Sequence, residues 1–186
     1  FQEVSLSRPV EEVPLIALTG EIFVRRDNLS RQHLTENLAA QGFATTCTPI
    51  AEWVRYTDYC ARKGYSEHTL KGMELLRFML RQNFMVRYEK QLKNTMNRSQ
   101  LVNSHPIDIP AIIDTARPYI SPELAGEAIL TIGASLAEIA THTCGVIAIG
   151  PFGCMPNRLS EAVLNEVMTR SGKIATDPNN ENLQGM

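Results

Sequence analysis

Pro14-Leu15-Ile16-Ala17-Leu18-Thr19-Gly20 is the stretch on which the fold reading turns. It is a short, almost unbroken apolar run closed by a glycine, the signature of a strand covered on both faces. Downstream, Asn28 or Ser30 can cap a helix running to Ala40 with Leu34 and Leu38 on one side, and Gly42 supplies its stop. Phe43 to Ile50, rich in threonine and ended by Pro49, reads as a second strand. Strand, helix and strand in this order form a βαβ unit, with parallel strands and a right-handed crossover. Gly145-Val146-Ile147-Ala148-Ile149-Gly150 repeats the buried-strand pattern. Pro156 then opens a last helix with Leu159, Val163 and Val167 on one stripe. The class implied is α/β, a three-layer parallel sheet of Rossmann or flavodoxin type. Three strands are few for such a sheet. A fourth is expected after Gly172, where only Lys173-Ile174-Ala175-Thr176 is offered, so the sheet is expected to be incomplete.

The region between the second and third strands departs from that rhythm. Leu70, Met73, Leu76, Leu80, Phe84 and Tyr88 recur at helical spacing, as one long helix or a helix pair. From Arg55 to Arg98 there are ten Lys/Arg against four Asp/Glu, which gives the insertion a basic face. That face is either a solvated surface or a docking face for an acidic partner or a phosphate-bearing ligand. Pro110 to Ala116 reads as a short helix. Ser121-Pro122-Glu123 reads as the start of a helix reaching about Thr141. The expected organisation is an extension over 1–13, a Rossmann-like domain over 14–172 with a helical insertion at about 52–117, and a polar, disordered tail over 173–186. The tail's Glu-Asn-Leu-Gln-Gly-Met ending resembles a degraded protease-site scar.

Composition narrows the setting. The 186 residues are 44% hydrophobic and 20% charged, ordinary for one globular domain, and the net charge of -2 favours neither nucleic acid nor an anionic membrane as partner. No apolar run approaches the roughly 20 residues of a membrane span, and the start lacks a secretory pattern. Cys47, Cys60, Cys144 and Cys154 are scattered without CxxC spacing, as expected of reduced thiols in a cytoplasmic protein.

Ligands of open parallel sheets bind outside the carboxyl ends of the strands, so the three strand exits are the places to look for chemistry. In Gly150-Pro151-Phe152-Gly153-Cys154-Met155-Pro156 the glycines permit close backbone approach and the prolines stiffen the turn. Cys154 lies just ahead of a helix N-terminus, where a thiolate is favoured. It can be a metal or cluster ligand, a nucleophile, a redox thiol, or simply a small buried side chain. A thiol enzyme also needs a base, and His33, His68, His105 and His142 fall far from this turn in sequence. At the first exit, Glu21 with Arg25 and Arg26 suits recognition of phosphate or carboxylate, or alternatively a Glu–Arg pair that holds the loop. Trp53, Tyr56 and Tyr59 after the second exit read as packing for the insertion. No GxGxxG, Walker loop, HExxH or serine elbow is present, which counts against an ATPase in this stretch.

Three segments occur in a recognisable order: Gly20-Glu21-Ile22-Phe23-Val24-Arg25-Arg26-Asp27, Pro49-Ile50-Ala51-Glu52-Trp53-Val54-Arg55-Tyr56, and Gly150 to Pro156. Together they resemble the C-terminal part of CoA-substrate-specific enzyme activases. That part is similar to the D-component (beta subunit) of 2-hydroxyglutaryl-CoA dehydratase. The resemblance runs from about Leu15 to Met168. It implies a Rossmann-like module of an iron–sulfur system in which an ATP-hydrolysing activator passes an electron to a dehydratase carrying a [4Fe–4S] cluster. Under it, Cys154 is the best match to a cluster ligand and Cys47 a weaker one, while Gly20, Glu21, Arg25, Glu52, Gly150, Phe152 and Gly153 would line a substrate site. A cluster needs three or four ligands. The chain by itself is therefore expected to hold none and to have no independent turnover. The partners implied are other domains of a parent protein, a dehydratase or activator, and an acyl-CoA. The alternative is a non-catalytic Rossmann-like docking or assembly module.

Overall fold

The computed structural model describes residues 8–65, 71–99, 107–124, 126–141 and 143–168. The expected tail over 173–186 and the fourth-strand segment Lys173 to Thr176 lie outside these residues, as do His68, His105 and His142.

Three strands, β1 (Leu15–Gly20), β2 (Ala44–Cys47) and β3 (Gly145–Ile149), form one parallel sheet in the order β2-β1-β3. Adjacent residues of a strand point to opposite faces. Ala17 and Leu18 are both buried, Leu18 to 1% exposure, so the central strand is covered on both sides as its unbroken apolar run requires. With right-handed crossovers, this order places the helix between β1 and β2 on one face and the helix before β3 on the other. The chain thus has a mixed α/β fold with an open parallel sheet, consistent with an incomplete Rossmann-like domain.

The first crossover is broken where a single helix was expected. A turn of helix α1 (Asn28–Arg31) is capped by Asp27, whose carboxylate accepts from the Ser30 N–H at 2.8 Å. Gln32 and His33 then adopt left-handed backbone, and α2 (Leu34–Ala40) packs against β2. Neither Asn28 nor Ser30 is the cap: both lie inside the turn, while Asp27 just before it has extended backbone and turns its carboxylate onto the Ser30 N–H. The second strand is also shorter than Phe43–Ile50. Pro49 caps α3 (Ile50–Lys63), so Ile50 begins a helix.

α3 is followed by the 26-residue α4 (Gly72–Asn97) and by α5 (Ile109–Ala116), capped by Asp108. Ser121-Pro122-Glu123 starts only a 3-10 turn (Pro122–Leu124). Gly126, at φ +102°, breaks the chain before α6 (Glu127–Thr141) begins. α6 lies against β1 and β3 and is buried on every side from Ala128 to Leu136. It packs on α5 at Gly133, where a Cβ would overlap the Ile112 carbonyl. α7 (Met155–Val167) packs on α6 and β3. The core is the cluster around Ile113, Ala116, Ile129, Ile132, Leu136 and Leu164, with Tyr56 and Cys60 of α3 at its margin.

Candidate functional site at the strand exits

Because the strands are parallel, all three exits open at one end of the sheet. The order β2-β1-β3 makes the β1/β3 boundary the point where the connections diverge, which is where such sheets bind ligands.

Gly20 forms the β1 end. It has φ +103°, and a Cβ there would overlap the Ile149 carbonyl, so only glycine lets the two strand ends approach. The Glu21 N–H continues the join by donating to Ile149 O at 2.9 Å. The turn that follows is held by two side chains bonded to backbone. Glu21 Oε2 accepts from the Val24 N–H at 2.7 Å, and Arg25 Nη1 donates to Gly20 O at 2.8 Å. A loop-holding role was one expectation for these residues, but each grips the main chain rather than the other.

Arg25 is 4% exposed, and its Nε has no hydrogen-bond partner. Burial pushes its guanidinium below the ordinary arginine value, opposed by the nearby charges of Glu52, Cys47 and Glu127. Arg25, Glu52 and Glu127 share a crevice of about 10 Å³ with Gly20, Trp53 and Thr131. That is room for one water molecule and for no organic ligand. Glu52 and Glu127 sit in the first turns of α3 and α6, where the helix dipoles favour negative charge. Burial nevertheless pushes the Glu127 carboxyl up, helped by the like charge of Glu21 and opposed by Arg25. The crevice is the junction where the β1 exit meets the starts of α3 and α6, with Arg25, Glu52 and Glu127 brought near one another. Glu127 and Thr131 escaped the sequence reading because nothing local connects them to residues 20–25. The pairing of β3 with β1 brings them there.

At the third exit, Gly150 lets the Asn157 side chain close over the strand end, and Gly153 turns the loop with φ +78°. Phe152 projects from it at 96% exposure, with the Arg158 guanidinium 5.6 Å from its ring centre. Cys154 occupies the N-cap position of α7, half-buried, without a side-chain capping bond. Cys47 ends β2, and its thiol is directed at the Arg25 and Thr48 carbonyls, 3.7 and 3.8 Å away. β1 separates the two cysteines, and two strand spacings are roughly 10 Å. Cys60 is buried beside Tyr56, and burial pushes its thiol up, which leaves it inert. Among the described residues, no group of three or more His, Cys, Asp or Glu side chains is placed to hold a metal ion. These residues alone therefore do not fit a [4Fe–4S] cluster. Trp53 is part-buried against the core, with its ring 5.6 Å from that of Tyr56, in keeping with a packing role.

A larger groove, about 640 Å³, lies along the outer edge of β3 and α7. It is lined by residues of β3 and its flanks, such as Val146 and Ile149, and by Asn157, Glu161 and Met168, along the edge of β3 that carries no strand among the described residues. No helix among the described residues is long and apolar enough to cross a membrane. No protein-family model, curated protein or solved structure matches the chain.

Proposed function

We propose that this chain is a Rossmann-like module of a larger CoA-substrate-specific activase or 2-hydroxyacyl-CoA dehydratase-like protein. Its strand exits would form one wall of an acyl-CoA or cluster site that other protein closes. The observation carrying this reading is convergence: the three segments behind the family resemblance all leave the sheet at its carboxyl end, two at the β1/β3 boundary and the third from β2 on the other side of β1. The chain's own contribution is structural. Gly20 lets the β1 end meet β3, Arg25 grips the loop after it, and the Gly150–Cys154 turn presents Phe152 outward with Cys154 half-buried at the start of α7. A cluster bound there would supply low-potential electron transfer. Its remaining ligands would come from outside the described residues.

Anaerobic reconstitution of the intact parent with iron and sulfide tests this. Sulfur-to-iron charge-transfer absorbance that is lost in Cys154→Ser supports ligation. An unchanged spectrum in that variant removes Cys154 from the cluster.

A second reading, a docking or assembly module, is favoured by a separate observation. α4 exposes much of its apolar surface, with Leu76, Leu80, Phe84 and Leu92 all more than half exposed. Amide hydrogen exchange of α4 in the intact parent checks this reading: docking requires protection there relative to the isolated domain, and equal exchange in both removes it.

A further inference from the structure

α4 is turned so that its least apolar side is the covered one. Among its described residues Phe78, Gln82, Glu89 and Lys93 are buried or half-buried, and they recur at helical spacing as one stripe. That stripe meets α3 through charges. Arg55 Nη1 reaches Glu89 Oε2 at 3.0 Å and Arg81 Nη2 reaches Asp58 Oδ1 at 2.9 Å, while Lys93 pairs with Glu89 at 2.7 Å. Phe78, beneath the Arg81 guanidinium, is the only fully buried side chain described on the helix.

The other side is apolar and exposed. Leu76, Leu80 and Phe84 lead along it every four residues, and the tilted rings of Phe84 and Tyr88 have their centres 4.5 Å apart. At 3.6 residues per turn, Leu76, Leu80 and Phe84 fall roughly opposite the covered stripe. Leu76, Leu80 and Phe84, each more than half exposed, oppose their own solvation and need a cover.

Both the spacing and the charges select that cover. A row at i, i+4, i+8 is a helix ridge of the kind that seats in the matching groove of a second helix, crossing at about -50°. Arg77 and Arg87, both exposed, each stand three residues along the helix from Leu80 or Phe84, on opposite sides of the ridge. No ion pair is recorded for either among the described residues. Over Gly72–Asn97 there are five basic residues (Arg77, Arg81, Arg87, Lys90, Lys93) and two acidic ones (Glu74, Glu89). A second copy of α4 crossing at Leu80 and Phe84 would set arginine against arginine. A helix with carboxylates flanking its own apolar ridge would neutralise them.

We infer that α4 is the receptor for an acidic amphipathic helix of a partner protein or domain, seated across Leu76, Leu80 and Phe84 and clamped by Arg77 and Arg87. This rests on the docking reading and names the partner's chemistry.

The test uses two labelled synthetic helical peptides with the same leucine ridge, one flanked by glutamates and the other by lysines. Fluorescence anisotropy with the unmodified protein should show the glutamate peptide binding at least ten-fold tighter, with the preference shrinking at high salt. The Arg77→Glu/Arg87→Glu variant should reverse the preference. Leu80→Gln and Phe84→Gln, which alter exposed side chains and leave circular dichroism unchanged, should each weaken binding of the glutamate peptide. Equal binding of the two peptides, or binding of neither, overturns the inference. So does a dimer in sedimentation that Leu80→Gln dissociates. Protection of α4 in the intact parent together with failure of the glutamate peptide would leave docking standing and remove the acidic helix.

Discussion

α4 is rich in leucine and methionine and α6 in alanine, isoleucine and leucine, yet the two occupy opposite situations. α6 is enclosed by the sheet, α5 and α7, and Ile132 has 0% exposure. α4 touches α3 through ion pairs and one phenylalanine, and Leu80 is 62% exposed. α6 is the more apolar helix, but α4 also carries many large apolar side chains. What separates them is the size and placement of side chains. α6 carries Gly133, which lets α5 approach closely, whereas α4 places long side chains at successive positions and has charges on its covered side. An apolar helix is therefore evidence that a cover is needed, and says nothing of which chain provides it.

The sharpest way to break the comparison is to cut the same chemistry from both helices. Ile132→Ala should cost about 4 kcal/mol in urea unfolding, since a buried isoleucine loses its transfer energy and leaves a cavity. A loss below about 1 kcal/mol would mean that α6 is not the central helix. Gly20→Ala should cost about 2–3 kcal/mol by the same measurement. Alanine there is strained at positive φ, and its Cβ overlaps the Ile149 carbonyl, so the β1/β3 ends must part. Retention of wild-type stability would show that the strand ends do not need this approach.

Glu127 gives a smaller, pH-dependent effect. Its folded-state pKa is raised above the ordinary 4.5, so the fold favours the protonated form. That contribution is fully present below the unfolded value and is lost as pH rises through the folded one. Glu127→Gln, neutral at every pH, should match the wild type in acid and be modestly more stable at neutral pH, with a flatter profile from about pH 4.5 upward. Thermal melts across that range check it. A variant less stable than wild type at pH 7 would show that the charge of Glu127, through Arg25, holds the junction. The smallest effect is expected at Leu80→Gln, within about 0.5 kcal/mol of wild type, because an exposed side chain loses little burial. A loss above 2 kcal/mol would mean that α4 is covered within this chain.

Much of the architecture was legible from residues alone. The runs at 15–20 and 145–149 announced buried parallel strands, because β-branched and aliphatic residues without alternation have few other homes. The helix at 155–167 and the stop at Gly42 were equally plain. The broken crossover at Gln32 and His33 was not, since neither residue is a usual helix breaker. The start of α6 was misplaced because Ser121-Pro122-Glu123 carries helix-start chemistry and Gly126, four residues beyond Pro122, overrides it. For the candidate site, strand-exit positions singled out Gly20, Glu21, Arg25 and Glu52 as candidates, while the crevice shared by Gly20, Arg25 and Glu52 and the grip of Glu21 and Arg25 on backbone came from geometry.

The sequence by itself determined three strands, their parallel sense and the exits where side chains gather, because apolar periodicity and turn chemistry act over neighbouring residues. The tertiary structure alone decided that Glu127 stands beside Arg25, that Cys47 and Cys154 lie on either side of β1, and that α4 turns its leucines outward. These are consequences of strand order and helix rotation, which depend on contacts between residues far apart in the chain. No local pattern encodes them.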